Sequence, residues 1–117
     1  MRNIKLTIEY DGKDFNGWQK QPNKLNIQGN IEKVISEITK EEIELIGSGR
    51  TDAGVHAIGQ VANFKTNSNI PIEKFAIAIN SRLKKSIIIK IARKFLLFFW
   101  IFIIQKLLFI YWFYIFF

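Results

Sequence analysis

The first 90 residues of this 117-residue chain predict an α+β fold, in which one antiparallel sheet packs against two helices. Residues 3–10 alternate apolar and polar side chains, which is the period of a half-buried strand. Residues 27–38 instead place isoleucine and valine at helical spacing, with charged side chains on the other side of the helix. Because both periods recur along the chain, strands and helices are expected to combine in one small domain.

The order of the elements then predicts the architecture. After the first strand and the first helix, the patterns predict a short second strand at residues 41–46, a third strand at 58–65, a second helix from Pro71 to Leu83, and a fourth strand at 86–89. This order is β-α-β-β-α-β, the ferredoxin-like split unit, with both helices on one face of the sheet.

Composition narrows the classes of function. The chain has no cysteine, which excludes disulfides and thiolate metal sites, and His56 is its only histidine, so a histidine-rich metal site is excluded as well. Residues 1–10 are not an apolar signal segment, and we expect a cytoplasmic protein. Residues 1–90 carry fourteen Lys and Arg against ten Asp and Glu, a balance that suits a phosphate-rich partner but is also ordinary for solubility.

The most informative segment is Gly-Ser-Gly-Arg-Thr-Asp-Ala-Gly-Val-His-Ala at residues 47–57. It places Asp52 between Arg50 and Gly54 in a loop whose glycines permit tight turns and close approach of a ligand. Such a loop can present a single carboxylate nucleophile or base beside a phosphate-binding cation. A structural salt bridge between Arg50 and Asp52 is the alternative, and local sequence alone favours it.

Residues 49–57 resemble the catalytic motif of the tRNA pseudouridine synthase A family. Further matches occur in the expected order: Tyr-Asp-Gly at 10–12, Phe-x-Gly-Trp-Gln-x-Gln-Pro at 15–22, Ile-Gln-Gly at 27–29 and Asn-Ser-Arg-Leu at 80–83. The resemblance covers residues 1–90 and predicts a half-domain of the pseudouridine synthase fold.

The resemblance implies an isomerase that converts uridine to pseudouridine in the anticodon arm of tRNA, at nucleotides 38–40. It makes Asp52 the nucleophile that attacks the target nucleotide, so that the C1′–N1 bond breaks and uracil reattaches through C5. It implies tRNA as the substrate, a homodimer, and no metal or other cofactor, because the reaction is an isomerisation. The family also uses a tyrosine that stacks on the target uracil, and no residue here matches it.

Further roles are predicted around Asp52. Arg50 contacts an RNA phosphate or fills the space of the nucleotide as it flips out of its stack, and it also balances the charge of Asp52. Thr51 supports the loop through a bond from its hydroxyl to the backbone. Gly49, Gly54 and His56 shape the loop.

Other side chains are predicted to contact RNA. Trp18 is expected to stack on a base, although a buried anchor under the loop is an equal alternative. Gln19 lies beside it, and Gln28 is expected to bond to the catalytic loop. Possible phosphate contacts, each of which could instead be a solvated surface charge, are Lys20, Lys24, Arg82, Lys84 and Lys85.

Residues 91–117 form a separate region with a different composition. It holds twelve of the seventeen aromatic residues and lacks Gly, Pro, Ser, Thr, Asp and Glu. One interpretation is a helical, membrane-seeking segment at 95–117, since 23 residues at about 1.5 Å rise span a bilayer core. The other is a shifted reading frame in an AT-rich gene, which we favour because family resemblance stops at the same point.

These observations predict a synthase that lacks half of its cleft and has little or no activity as it stands. Two alternatives remain open. One is an RNA-binding module without catalysis, and the other is a small protein anchored in a membrane by its tail.

Overall fold

The structure of the chain is a computed structural model, which describes residues 1–95. Six elements follow one another in the predicted order. They are β1 (Arg2–Tyr10), α1 (Ile27–Thr39), β2 (Ile46–Gly47), β3 (Ala57–Thr66), α2 (Ile72–Asn80) and β4 (Ile87–Lys94). The predicted α+β class, with one antiparallel sheet and two helices, is confirmed over these residues.

The four strands form one sheet in the order β2-β3-β1-β4, and every neighbouring pair is antiparallel. At one end of the sheet Arg2 pairs with Thr66, and at the other end Tyr10 pairs with Ala57. Because β3 begins at Ala57, the loop that joins β2 to β3 (residues 48–56) leaves the sheet beside Tyr10. The fold therefore carries the glycine-rich loop at one end of the central strand.

The core lies on one face of the sheet. The apolar residues of β1, from Ile4 to Tyr10, are at most 3% exposed, whereas the polar residues between them are partly exposed. Buried residues of α1 and α2 belong to the same cluster as these β1 side chains, which places both helices on that face. The helical residues concerned are Ile27, Ile31, Val34 and Ile35 of α1, and Phe75 and Ile79 of α2.

β2 is shorter than the sequence predicts. The backbone of Leu45, just before β2, bonds to side chains of α1 instead of a neighbouring strand: its N–H donates to Glu32 Oε2 (3.0 Å), and its carbonyl accepts from Gln28 Nε2 (2.6 Å). These helix side chains satisfy backbone groups that would otherwise extend the ladder.

β4 is longer than predicted. It continues to Lys94, and the N–H of Phe95 still donates to the carbonyl of Asn3 (2.7 Å). The predicted boundary between residues 90 and 91 therefore falls inside β4. On α2, the amide of Asn80 donates to the carbonyl of Ile89 (2.9 Å) and accepts from its N–H (2.8 Å), so this side chain fixes the helix against β4.

The aromatic tail lies almost wholly outside the described part of the chain, which ends at Phe95. The predicted helix at residues 95–117 and its membrane association therefore fall on residues that the structure does not describe. Within residues 1–95, no helix combines the length and apolar character that crossing a bilayer requires.

Candidate active site

Asp52 begins a tight turn in the loop between β2 and β3. Its carbonyl accepts a hydrogen bond from the N–H of Val55 (3.2 Å), which closes a four-residue turn. Gly54, the third residue of the turn, has φ of +77°, while Ala53 before it has a negative φ. This combination defines a type II turn, whose third position favours glycine. The predicted loop-shaping role of Gly54 thus has a structural basis.

Four hydrogen bonds attach this loop to residues 10–18, at the end of β1 and in the segment that follows it. Two are backbone bonds: Trp18 N–H donates to the Thr51 carbonyl (3.1 Å), and Gly54 N–H donates to the Phe15 carbonyl (3.2 Å). Two involve side chains: the hydroxyls of Tyr10 and Thr51 lie 2.6 Å apart, and Gly12 N–H donates to His56 Nδ1 (2.9 Å). The loop around Asp52 is consequently held on both sides of the carboxylate.

Two glycines allow the loop to approach this segment so closely. A Cβ on Gly17, which has φ of +92°, would lie 2.6 Å from the carbonyl oxygen of Thr51. A Cβ on Gly12 would lie 1.9 Å from the carbonyl oxygen of Val55. Any side chain at either position would force the loop at residues 48–56 away from its support.

Asp52 is an exposed residue of the loop. No residue from 1 to 95 donates a hydrogen bond to its carboxylate or forms an ion pair with it. Arg50 is also exposed and makes no ion pair within the same residues. The alternative of a structural Arg50–Asp52 salt bridge is therefore absent from this structure, and both side chains are free to meet a ligand.

Trp18 lies in the core, 2% exposed, with its ring stacked on Tyr10 at 6.0 Å between centroids. Gly47 lies against the indole, because a Cβ there would be 2.4 Å from Trp18 Nε1. This placement matches the buried-anchor alternative and gives the indole no surface for a base. Thr51, whose hydroxyl was expected to bond to the backbone, bonds to the Tyr10 hydroxyl instead.

A groove of about 190 Å³ lies beside the loop. Gln19, Gln28 and Arg50 line it, together with Trp18, Gly49 and residues 44–47. Gln28 does not bond to the catalytic loop, since its amide donates to Leu45 and accepts from the N–H of Lys20 (2.8 Å). Gly49 contributes its carbonyl, which accepts from Gln60 Nε2 (2.6 Å) and fixes the start of the loop on β3.

Two of the predicted phosphate contacts already have carboxylate partners. Lys20 Nζ lies 2.7 Å from Glu32 Oε1, and this hydrogen bond and the charge of Glu32 raise the pKa of the Lys20 ammonium. Arg82 lies 3.7 Å from Glu37. Both cations are exposed, so these pairs are weak, but each competes with a phosphate for the same group.

His56 connects the loop to the end of β1. Its Nδ1 accepts from Gly12 N–H at 2.9 Å and also lies 3.0 Å from Asp11 Oδ1. The first contact needs a lone pair on Nδ1 and the second needs a proton there, so the two hydrogen bonds cannot form at the same time. With either partner, the ring of His56 links the end of the loop to the segment that follows β1.

Sequence reasoning did not assign roles to Tyr10, Gly12 or Gly17, although all three lie in segments that carried the family resemblance. The signal that could have indicated them is the position of the two glycines in the motifs: Gly12 ends Tyr-Asp-Gly, and Gly17 directly precedes Trp18. Within residues 1–95 no three His, Cys, Asp or Glu side chains converge as metal ligands would.

Comparison with known proteins connects this geometry to a family. The sequence profile of the family described as tRNA pseudouridine synthase matches residues 6–102. The chain belongs to the tRNA pseudouridine synthase family. The match includes every element from β1 to β4 apart from the first residues of β1, and it continues past residue 90, where the resemblance was expected to stop.

Individual relatives agree. The tRNA pseudouridine synthase A of Caldicellulosiruptor saccharolyticus is 64% identical over 90 residues, which cover 77% of this chain and 37% of the relative. The tRNA pseudouridine synthase A 2 of Clostridium perfringens is 62% identical over 89 residues, with 76% and 36% covered. The Acetivibrio thermocellus tRNA pseudouridine synthase A is 56% identical over 90 residues, with 77% and 37% covered. The chain thus matches little more than a third of the length of these relatives.

Proposed function

We propose that this chain supplies the nucleophile-bearing half-domain, ferredoxin-like in topology, of a tRNA pseudouridine synthase that isomerises uridine in the anticodon arm, with Asp52 as the nucleophile. The observation that carries the proposal is the state of this side chain: an exposed carboxylate without a partner in residues 1–95, on a loop attached at four points. A structural aspartate in a glycine-rich turn would be expected to use its carboxylate for a local bond.

The reaction needs one nucleophile and a substrate nucleotide removed from its stack. The Asp52 carboxylate forms a bond to the nucleotide while the C1′–N1 bond breaks, and the freed uracil turns and bonds to C1′ through C5. The C5 proton is lost, N1 gains a proton, and Asp52 is released unchanged. Atoms balance because substrate and product are isomers.

Arg50 is suited to the flipped nucleotide. It lies two residues before Asp52, is exposed, and forms no ion pair with any residue from 1 to 95. Together with Gln19 it lines the groove beside the loop. A guanidinium there can bind the phosphate of the target nucleotide or occupy the vacated space in the stack.

The intact enzyme is proposed to be a cytoplasmic homodimer. The 117 residues by themselves are proposed to turn over tRNA slowly or not at all, because they match 37% of the length of a relative such as that from C. saccharolyticus. The same fraction supports a second candidate, an RNA-binding fragment without catalysis. That candidate predicts salt-dependent tRNA binding that Asp52→Ala leaves unchanged, with no pseudouridine formed.

The test compares the chain alone with a chimera in which residues 1–90 replace the matching segment of the C. saccharolyticus relative. Pseudouridine in a tRNA transcript is measured after incubation with each protein. The chimera is expected to form pseudouridine, and Asp52→Asn in the chimera is expected to abolish it. Asp14→Asn, another exposed aspartate near the loop, is the matched control and should keep the activity.

Either of two results would overturn part of this proposal. Pseudouridine formation by the Asp52→Asn chimera at the wild-type rate would remove Asp52 from the nucleophile role. Turnover by the 117-residue chain at the rate of the chimera would refute the proposed inactivity.

A further inference from the structure

A groove on the helix side of the loop collects three lysines from three separate segments. Its volume is about 380 Å³. Lys24 comes from the segment before α1, Lys33 from the middle of α1, and Lys84 from the segment after α2. The other lining residues are Leu25, Asn26, Gly29 and Asn30, so no carboxylate lines the groove. We call this the lysine groove.

The three lysines differ from their basic neighbours in having no counterion. Within residues 1–95, none of the three lies within ion-pairing distance of a carboxylate, whereas Lys20 and Arg82 are paired. Bringing like charges together without a counterion is unfavourable, and a bound anion relieves it. The groove is therefore a better anion site than the paired cations Lys20 and Arg82.

The N-terminus of α1 does not provide an anion site by itself, because the N–H groups of its first turn already donate hydrogen bonds within the protein. Ile27 and Gln28 donate to carbonyls of residues 17 and 18 at 3.2 and 2.9 Å. Gly29 donates to the side chain of the N-cap residue Asn26 (2.7 Å), and Asn30 donates to the Asn26 carbonyl (3.3 Å). Affinity for an anion in this groove must come from the lysine ammonium groups.

The lysine groove and the Asp52 loop share a neighbour. Phe15 accepts a hydrogen bond from Gly54 of the loop through its carbonyl, and its ring lies 6.0 Å from Lys84 Nζ. Phe15 thus contacts the loop through its backbone and one lysine of the groove through its ring. A polyanionic strand that places its reacting unit at Asp52 can extend past Phe15 towards the lysines.

We propose that Lys24, Lys33 and Lys84 bind the phosphodiester backbone of the RNA strand that carries the target nucleotide. This inference rests on the proposed function for the presence of RNA at Asp52. Exposed lysines on flexible stems, spread along an open groove, suit a backbone that is tracked by charge rather than one enclosed small anion.

The test measures binding of the full 117-residue chain to an unmodified tRNA transcript, by fluorescence anisotropy at several KCl concentrations. The variant carries Lys24→Gln, Lys33→Gln and Lys84→Gln. Each lost phosphate contact should lower the slope of log K against log [KCl] by about 0.7–0.9, so the slope should fall by about 2, and affinity by about tenfold or more at 0.1 M KCl.

The matched control removes three exposed lysines at the opposite end of the sheet: Lys40, Lys65 and Lys74. Lys65 precedes Thr66, which pairs with Arg2 at the start of β1, and Lys40 follows the last turn of α1. Because both triple variants lose the same charge, the control should change the slope by less than about 1 if contact position matters. Far-ultraviolet circular dichroism of each variant checks that the fold is unchanged.

The outcomes separate the two proposals. Equal slopes for the groove variant and wild type, or equal losses in both triple variants, would overturn the lysine groove while leaving tRNA as the substrate. Asp52→Asn is expected to bind tRNA as wild type does, since it alters chemistry and not this groove. Absence of any tRNA binding by the wild-type chain would overturn the lysine groove and the RNA-binding-fragment candidate, whereas the role of Asp52 is decided by the chimera.

Discussion

Replacing Gly17 with alanine is expected to displace the loop that carries Asp52 and destabilise the fold. The new Cβ would lie 2.6 Å from the Thr51 carbonyl oxygen and 3.3 Å from the carbonyl carbon of Asp52. Both neighbours are backbone atoms, so neither can move aside by a rotamer change. The Thr51 carbonyl must shift, and this weakens the bond that it accepts from Trp18 N–H.

The magnitude follows from three effects. A φ of +92° costs an alanine about 1 kcal/mol. Loss of the hydrogen bond to the Thr51 carbonyl costs about 1 kcal/mol. Overpacking against the loop contributes about 1 kcal/mol more when the backbone partly relaxes. Gly17→Ala should therefore lower the free energy of unfolding by about 3 kcal/mol.

Urea unfolding of the 117-residue chain, followed by circular dichroism, measures this quantity. With an m-value of about 1–2 kcal/mol/M, the midpoint should fall by about 1.5–3 M. Gly59→Ala is the matched control, since nothing lies within 4 Å of its Cβ position and its φ is not positive, and it should change stability by less than about 0.5 kcal/mol.

Gly54→Ala separates the backbone cost of a positive φ from the cost of the close contact with the loop. Gly54 has φ of +77°, yet nothing lies within 4 Å of its Cβ position, so only the backbone cost of about 1 kcal/mol applies. From least to most destabilising, the expected order is Gly59→Ala, Gly54→Ala and Gly17→Ala. If Gly17→Ala lowered the free energy of unfolding no more than Gly54→Ala does, the close contact between residue 17 and the Thr51 carbonyl would contribute nothing to the destabilisation.

Three further predictions concern side chains. Tyr10→Phe removes the 2.6 Å bond to Thr51 and should cost about 1 kcal/mol in urea unfolding, whereas no change would mean that the bond does not hold the loop. Asp52→Asn should alter stability by less than about 0.5 kcal/mol, because the carboxylate has no partner in residues 1–95, and a larger loss would restore the salt-bridge interpretation. The Thr66 hydroxyl and the Asn67 N–H donate hydrogen bonds to the Glu41 carboxylate and lower the pKa of its carboxyl. The ionised carboxylate therefore stabilises the fold above the ordinary pKa of 4.5, and this stabilisation is lost as the pH falls through the lowered pKa. Unfolding measured against pH should show this loss in wild type and not in Glu41→Gln.

The sequence predicted those parts of the fold in which the binary pattern alone decides the outcome. The bounds of β1 and α1 were predicted to within two residues, because the spacing of their apolar residues matches the face that each element buries. β2 was not, because Glu32 and Gln28 bond to Leu45, and side chains distant in sequence cannot be anticipated from a local pattern. β4 extends to Lys94 because β1 offers a partner along its whole length.

The candidate site divides in the same way. The loop and its turn glycine follow from a motif that is contiguous in sequence. The unpaired carboxylate of Asp52 does not, since the local sequence favoured a salt bridge with Arg50. The burial of Trp18 could not be predicted in this way, since an aromatic residue in a loop is equally consistent with a base-stacking surface and with a buried anchor. The supports at Gly12 and Gly17 depend on contacts with residues about forty positions away, which only the folded chain brings together.

The most direct test of the central claim is a single-turnover rate of pseudouridine formation by the chimera, with enzyme in excess over a tRNA transcript. Wild type and Asp52→Asn are compared, and the Kd for tRNA is measured in parallel so that binding and chemistry are separated. Asp52 as nucleophile predicts an unchanged Kd and a rate that falls by about a thousandfold or more. A rate within about tenfold of wild type at equal Kd would show that another group performs the attack.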